Sequence, residues 1–359
     1  MGAAESRLDQ EAESILSRQC WSPINVAPEV WVRCGSRIKS RCPSCAELYR
    51  KDWSAIARSG VFDGPVQDFR FFLLTLTAPS FGAVHRVPRS ADGRQARCRC
   101  GSLHSVADAA LRGVPLDPRT YDYAGQVAWN RDGGLLWDRT RKRLRDRWDS
   151  LEFFIVREWQ DRGVLHMHAL LRIAVGEAPR SSELGLAART AEATSKVDGS
   201  MVRWGTQFQC DEFPVSVEGA RAIWYLSKAL NYVMKDVTLA GMGGRNPAWE
   251  HLAALEAAAR AMKCCAVCDP AKCLRRLHNN LGSRSHVVSA SRRTKYRTGW
   301  SFSGLTRTVQ RRLRREWAQA QASDGKSAAD AARERVWWAM DWLADRARDE
   351  FGALAAAVP

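Results

Sequence analysis

The sequence of 359 residues lacks several features that mark well-defined classes of protein. It contains no run of about 18 apolar residues, so we expect no membrane-spanning helix. Its N-terminus is polar and acidic rather than typical of a secretory signal, so we expect a cytoplasmic protein. It also lacks a G-x-x-x-x-G-K-[ST] nucleotide-binding loop, because the Gly-Lys-Ser at 325–327 has Ala320 where the first glycine would stand. We therefore do not expect this chain to hydrolyse ATP.

Acidic residues are scarce relative to basic ones, with 39 Asp and Glu against 55 Lys and Arg and a formal net charge of +16. Such an excess is typical of a protein that binds a polyanion such as DNA. One basic segment also contains Tyr296, and Trp300 and Phe302 follow it, a pattern that suits contact with the DNA backbone and stacking on bases. The residues predicted to contact DNA are Arg284, Arg292, Arg293, Lys295 and Arg297.

Cysteine is abundant, with eleven residues that fall into groups. Without an export signal, grouped thiols favour metal sites over disulfides. The first group contains a C-x-x-C turn and predicts a structural zinc site, the alternative being a cluster of small apolar residues. The three groups are Cys20, Cys34, Cys42 and Cys45; then Cys98 and Cys100 with His104, as three ligands for a second zinc; then Cys264, Cys265, Cys268 and Cys273 for a third. Cys210 remains as an ordinary buried thiol.

Two histidines lie two residues apart in a segment with the character of a β-strand. Side chains alternate along a strand, so His166 and His168 point to the same face. The apolar runs 151–156 and 164–173 are separated by Asp161-Arg162-Gly163, which predicts a hairpin that places Glu158 opposite His166. Two imidazoles and a carboxylate are suitable ligands for a divalent cation. The alternative is an ordinary polar face of a sheet.

A predicted helix over residues 218–237 contains a repeat, Tyr225-x-x-Lys228 followed by Tyr232-x-x-Lys235. Seven residues are close to two helical turns, so both tyrosines lie along one stripe. A tyrosine hydroxyl can attack a phosphodiester, and a nearby lysine can lower the phenol pKa or pair with the phosphate. The alternative is that the tyrosines are core residues of an amphipathic helix whose lysines reach into solvent.

These motifs, in this order, resemble those of HUH endonucleases. More narrowly, the sequence resembles the RepSA-type replication initiators of actinobacterial rolling-circle plasmids and integrative conjugative elements. The stretches that carry the resemblance are 34–50 (CGSRIKSRCPSCAELYR), 75–82 (TLTAPSFG), 121–130 (YDYAGQVAWN), 158–172 and 281–296.

The resemblance implies a bacterial cytoplasmic enzyme that nicks one DNA strand through a 5′-phosphotyrosyl intermediate and leaves a 3′-hydroxyl. It implies Mg²⁺ or Mn²⁺ at His166, His168 and Glu158, single- and double-stranded origin DNA as partners, and a host helicase. Related alternatives are a transposase or relaxase, and a different one is a non-catalytic zinc-ribbon regulator that binds DNA.

The sequence departs from the family pattern in two places. The family places its tyrosines four residues apart, whereas Ala229-Leu-Asn231 separates the two units here. We favour Tyr232 as the nucleophile, with Tyr225 as the second. The segment Asp117-Pro-Arg-Thr120 stands where the family often has a pair of cysteines, which weakens the case for the second zinc.

The expected fold is α+β, with a central antiparallel sheet of HUH type, flanking helices, a Cys-rich zinc module and a helical C-terminal region. Strands are predicted at 71–77 and 202–210, a helix at about 125–149, and a surface excursion at 174–200. The predicted organisation is a polar tail at 1–19, the zinc module at 20–60, the endonuclease core at 61–245 with an insert at 80–125, a Cys-containing basic DNA-contact region at 246–303, and a helical unit at 304–359.

Overall fold

The computed structural model of the chain describes residues 20–27, 30–39, 41–90, 97–216, 246–283 and 287–323. These residues divide into two compact units. The first unit contains the described residues up to Gly64 together with those from Trp300 onward, and the second runs from Pro65 to Gly299. The first unit therefore combines two segments of the sequence, one before and one after the second unit.

The first unit contains a short hairpin, β1 (Ile24–Ala27) and β2 (Val30–Val32), and two helices, α1 (Pro43–Phe62) and α5 (Arg307–Ser323). Helix α1 begins directly after Cys42, and Pro43 suits its first position because the fixed φ of proline is helical. Helix α5 packs against α1. Its Arg314 pairs with Asp52 of α1, a carboxylate that is only 1% exposed.

The second unit is organised around a five-stranded antiparallel sheet in the order β8-β3-β5-β4-β9. Its strands are β3 (Phe69–Leu76), β4 (Glu152–Trp159), β5 (Leu165–Ala174), β8 (Phe208–Phe213) and β9 (Val288–Ala290). Aromatic and branched side chains dominate the inner strands, as expected for strands that are buried on a sheet face. The predicted strand at 71–77 is confirmed as an inner strand, β3, next to β5.

One face of this sheet forms the main core with helices α2 (Tyr123–Arg145) and α3 (Ser181–Arg189). The core residues alternate along the strands, as in Phe72, Leu74 and Leu76 of β3. On β5 the core-facing set includes Leu165, Met167, Ala169, Leu171 and Ile173. Because successive side chains point to opposite faces, the histidines of β5 lie on the face away from this core.

Helix α4 (Pro247–Ala261) packs against α2, and a small two-stranded sheet pairs β6 (Glu192–Thr194) with β7 (Met201–Arg203). Two expectations need correction. The surface excursion at 174–200 contains α3 and β6. The single strand predicted at 202–210 is two strands in different sheets, because the chain turns at Gly205, whose N–H donates to the carbonyl of Thr77.

The predicted α+β class with an antiparallel sheet is confirmed. Across the part of the chain that the structure describes, no helix is both long and apolar enough to cross a membrane. The predicted tail at 1–19 and the end of the helical C-terminal unit, from residue 324, lie outside the described residues.

Candidate active site and metal-binding groups

The β4–β5 hairpin has the register that the sequence predicts. Glu158 pairs with His166, and Val156 pairs with His168. The N–H of Gln160 donates to the carbonyl of Val164 at 2.9 Å and closes a three-residue turn, with Gly163 at a φ of +72°. That backbone conformation favours glycine, so this turn fixes which residues face each other across the hairpin.

His168 is held on both sides of its ring. Its Nδ1 lies 3.0 Å from the hydroxyl of Thr75, which sits opposite it on β3. Its Nε2 lies 3.3 Å from Oε2 of Glu158 on β4. The side chain is 2% exposed. Three neighbouring strands therefore fix the orientation of this imidazole.

His166 is close to His168, with ring centroids 4.6 Å apart, and its Nδ1 lies 3.1 Å from Nε2 of Gln160. Burial, followed by electrostatic interaction with His168 and Arg162, lowers the pKa of His166 to about 3. A histidine with so low a pKa is neutral at physiological pH, which is the form that binds a metal ion. The contact of Gln160 with His166 was not predicted from the sequence, although the position of Gln160 directly before the turn could have indicated it.

The ligand atoms of His166, His168 and Glu158 do not all lie within 4.8 Å of one another, unlike those of the Cys-rich groups described below. The close pair in the structure is His168 with Glu158. The three side chains share one face of the hairpin.

Side chains of helices α2 and α4 form hydrogen bonds with the backbone of the hairpin turn. Asn130 of α2 donates to the carbonyl of Gly163 at 3.0 Å and accepts from the N–H of Leu165 at 3.1 Å. Gln126 of α2 donates to the carbonyl of Arg162 at 2.7 Å, and Nε2 of His251 in α4 lies 3.0 Å from the same oxygen. These bonds order the turn without any ligand.

The first cysteine group is assembled in the first unit as predicted. Sγ of Cys20 lies 3.9 Å from Sγ of Cys42 and 3.8 Å from that of Cys45, and Cys34 completes the set. All four side chains are buried. Backbone N–H groups point at the sulfurs, with the N–H of Trp21 3.4 Å from Cys42. Four converging sulfurs are the ligands of a tetrahedral structural zinc site, so this group can hold that ion.

The second group has a fourth member that the sequence did not reveal. His85 joins Cys98, Cys100 and His104, with its Nδ1 3.2 Å from Nε2 of His104 and 3.8 Å from Sγ of Cys98. The other nitrogen of His104 lies 3.5 Å from a carboxylate oxygen of Asp108. Such a carboxylate orients a metal-binding histidine. The set of three predicted ligands is therefore completed to four.

The third group differs from the predicted one. The structure brings Cys264, Cys268 and Cys273 together with His278, in place of Cys265. Sγ of Cys265 lies 4.0 Å from that of Cys264, but Cys265 is not among the four residues whose ligand atoms all lie within 4.8 Å of one another. Nε2 of His278 lies 3.7 Å from Sγ of Cys268, while its Nδ1 donates to the carbonyl of Ala259 at 2.9 Å. That backbone bond fixes the ring nitrogen that faces the sulfurs.

The other predicted residues are only partly placed. Tyr225, Lys228, Tyr232 and Lys235 lie outside the described residues, as does Arg284. Arg292, Arg293 and Lys295 are exposed, and Tyr296 is 86% exposed beside Lys295. Arg297 is less accessible, because it pairs with Asp149 at 2.5 Å. The described part of the basic segment thus offers three exposed cations next to an exposed aromatic ring.

A family of known proteins matches most of this chain. Residues 18–357 match the family described as "RepSA: Replication initiator protein, pSAM2". The chain belongs to the RepSA family. A RepSA relative, a replication initiator protein of Streptomyces ambofaciens, is 32% identical over 359 aligned positions that cover 86% of this chain and 74% of the relative. No solved structure matches this RepSA chain.

Proposed function

We propose that this protein initiates replication of a plasmid or integrated element by nicking one DNA strand at the origin and later rejoining it. The observation that carries the proposal is the hairpin on which a neutral His166, a buried His168 and Glu158 share one face. Membership of the RepSA family and the net charge of +16 support DNA as the substrate.

The proposed reaction is a transfer of a phosphoryl group to tyrosine. The hydroxyl oxygen of Tyr232 attacks phosphorus and loses its proton, and the bond from phosphorus to the 3′-oxygen breaks. The 5′ side of the nick becomes a phosphotyrosyl ester, and the 3′-oxygen takes up a proton and primes rolling-circle synthesis. The ester keeps the energy of the broken bond, so attack by a later 3′-hydroxyl rejoins the strand without ATP.

The histidine face suits this reaction if it holds Mg²⁺ or Mn²⁺, which would supply electrophilic polarisation of the scissile phosphate. Thr75 orients His168 through Nδ1 and leaves Nε2 facing Glu158. Gln160 contacts the ring of His166 in the opposite sense, because its amide nitrogen donates and Nδ1 of His166 accepts. Lys228 and Lys235, one turn beyond their tyrosines, would lower the phenol pKa or pair with the phosphate.

The Cys-rich groups are proposed to bind structural zinc, because converging thiols and oriented histidines in sets of four are suited to that ion. The exposed cations around Tyr296 are proposed to contact the DNA backbone while the ring stacks on a base. The chain is expected to act in the bacterial cytoplasm with a host helicase that separates the strands.

The test is formation of a covalent adduct. The protein is incubated with single-stranded origin DNA and Mg²⁺ or Mn²⁺, and the modified tyrosine is mapped by mass spectrometry. Tyr232→Phe should stop the adduct, because phenylalanine keeps the ring but has no attacking oxygen. Tyr225→Phe should reduce strand rejoining more than the first nick. Tyr123→Phe is the matched control and should keep the adduct, because Tyr123 packs against the core of the second unit.

An adduct that persists when both Tyr225 and Tyr232 are replaced would reject the proposed nucleophile. Loss through Tyr225→Phe alone would reverse the order of the two tyrosines. DNA binding without any adduct would favour the non-catalytic regulator. Joining of the cut strand to unrelated targets would favour a transposase.

A further inference from the structure

A cavity of about 430 Å³ lies in the second unit between the group around His85 and the turn of the histidine hairpin. Its walls come from residues 84–89, 112–113 and 160–162. The volume is within the range of small-ligand sites. Four of its lining residues are arginines and one is acidic, so its walls carry a net charge of +3 (four positive, one negative): Arg86, Arg89, Arg112 and Arg162, with Asp161.

Two of these arginines are held by neutral acceptors. Arg112 donates to the carbonyls of Val87 at 3.3 Å and Pro88 at 2.7 Å. Arg162 donates to the carbonyl of Pro79 at 3.4 Å and to the side-chain oxygen of Gln160 at 3.1 Å. Burial lowers the pKa of Arg162, which indicates a cation in a poorly solvated place. Neutral acceptors orient a guanidinium but leave its positive charge to attract an anion.

The cavity adjoins the candidate active site through one side chain. Gln160 lines the cavity, and its amide nitrogen lies 3.1 Å from Nδ1 of His166. Its amide oxygen accepts from Arg162. Gln160 therefore contacts both an arginine of the cavity and a histidine of the candidate active site.

Another wall comes from residues 84–89, which include His85 of the Cys–His group. The N–H of His85 donates to the carbonyl of Val114 at 2.8 Å, and the N–H of Gly113 approaches the carbonyl of His85 at 3.4 Å. Gly113 has a φ of +76°, and a Cβ placed there would lie 2.6 Å from the backbone nitrogen of Arg162. The segment that contains His85 is thus tied to the segment around Gly113, which lies against the hairpin turn.

We propose that this cavity binds a backbone phosphate of the single-stranded substrate, adjacent to the phosphate that is cut. The inference rests on the proposed nicking function and extends it to a second contact on the same strand. Guanidinium groups bind phosphate oxygens through charge-assisted, often bidentate, hydrogen bonds. A phosphate held here positions the strand relative to the histidines and carries no sequence information of its own.

The first test compares charge removal inside and outside the cavity. Arg112→Gln and Arg86→Gln each remove one cation from the cavity lining. Because the side chain of Arg86 is exposed, we expect Arg86→Gln to fold normally. Arg203→Gln is the matched control, because Arg203 is an exposed arginine of the second unit that pairs with Glu192. Binding of a fluorescent single-stranded origin oligonucleotide is measured by anisotropy over a series of salt concentrations.

Each cavity variant should bind about tenfold more weakly, the loss expected for one charge-assisted hydrogen bond. The slope of log affinity against log salt should fall by about 0.7, the value for one phosphate contact on a single strand. Arg203→Gln should change neither quantity. An equal loss in Arg203→Gln would overturn the proposal, since the effect would then be one of overall charge.

The second test locates the phosphate. Oligonucleotides with one uncharged methylphosphonate at each successive position should reveal a position where wild-type affinity falls. That loss should vanish in Arg112→Gln and Arg86→Gln, because the contact is already gone. Equal losses in wild type and both variants at every position would overturn the proposal. Adduct formation is measured separately. If the methylphosphonate loss vanishes in the two variants but no adduct forms, the phosphate contact is retained and the nicking function is rejected.

Discussion

The hairpin turn and the cysteine groups hold their polar side chains in opposite ways. The turn is fixed by protein hydrogen bonds, and both its backbone and the ring of His168 have partners from neighbouring elements. In the cysteine groups the sulfurs approach one another instead, for example at 3.7 Å between Cys264 and Cys273. Such sulfurs repel when ionised, and a cation between them would remove that repulsion. The hairpin turn is thus prebuilt by the protein itself, whereas the cysteine groups are arranged so that they could hold a metal ion.

The largest effect should follow loss of the first cysteine group. We expect Cys42→Ser to lower the zinc content by about one ion per chain and to unfold the segment around it. Structural zinc supplies on the order of 10 kcal/mol, and so short a segment has little core of its own. Metal analysis and thermal unfolding measure both outcomes. Cys210→Ser is the matched control, because Cys210 belongs to none of the three groups. Unchanged zinc in Cys42→Ser would reject the site.

Replacement of the histidines should affect chemistry but not folding. We expect His166→Ala or His168→Ala to reduce nicking by at least about a hundredfold, as for loss of an electrostatic contact to a transition state. Duplex binding should stay near the wild-type level, because basic residues supply the affinity. Glu158→Ala should be milder. Nicking assays and anisotropy on the same preparations separate the two effects, and full activity in EDTA would contradict the metal assignment.

The hairpin turn should become less stable when Asn130, whose side chain holds it, is replaced. Asn130 is buried and also donates to the carbonyl of Leu281 at 2.9 Å. We expect Asn130→Ala to lower the free energy of unfolding by about 2–3 kcal/mol, because buried backbone groups lose their partners. Asn279→Ala, at an exposed position, should stay within about 0.5 kcal/mol of wild type. Urea denaturation measures the free energy of unfolding of both variants. Equal stabilities would contradict the stabilising role of Asn130.

A smaller effect should appear as a dependence on pH. The pKa of His166 is lowered to about 3 by burial and by electrostatic interaction with His168 and Arg162, against about 6.5 in an unfolded chain. Between these values the unfolded chain binds a proton that the folded chain does not. The free energy of unfolding should therefore fall as pH falls from about 6.5 towards 3.

Without added Mg²⁺ or Mn²⁺, wild-type protein should lose about 2 kcal/mol more than His166→Gln between pH 7.5 and pH 5. Urea denaturation of both proteins at the two pH values measures the difference. Parallel losses in the two proteins would mean that His166 titrates normally.

The smallest effect distinguishes two adjacent cysteines. Cys265→Ser should keep all bound zinc, because the structure places this thiol outside the third group. Cys273→Ser should lose about one ion per chain. Metal analysis of the two variants is sufficient. The reverse result would restore the ligand set that the sequence suggested.

Local rules explain which parts of this fold the sequence could predict. The hairpin register follows from strand alternation and from Gly163, all within a few residues, and it is confirmed. The first cysteine group contains a C-x-x-C turn, a spacing that directs two sulfurs to one point. The inner position of β3 follows from its continuous apolar character.

Other parts depend on contacts that leave no local signal. His85 lies 13 residues before Cys98, and no spacing rule joins them. Cys264 and Cys265 are equivalent in sequence, so only the path of the chain after α4 decides which one faces the group. The segment at 174–200 is polar and small in composition, yet α3 buries Leu184 and Ala188 against the sheet. The functional assignments of Tyr232, Tyr225 and the DNA-contacting residues stay predictions.

The pairing of α1 with α5 has a consequence for the order in which the protein matures during translation. Asp52 is buried, and its partner Arg314 follows 262 residues later in the chain. At a synthesis rate of about 5–20 residues per second, this arginine emerges roughly 13–50 s after Asp52. All of the second unit leaves the ribosome during that interval. The contact between α1 and α5 can therefore form only after the whole of the second unit has been synthesised.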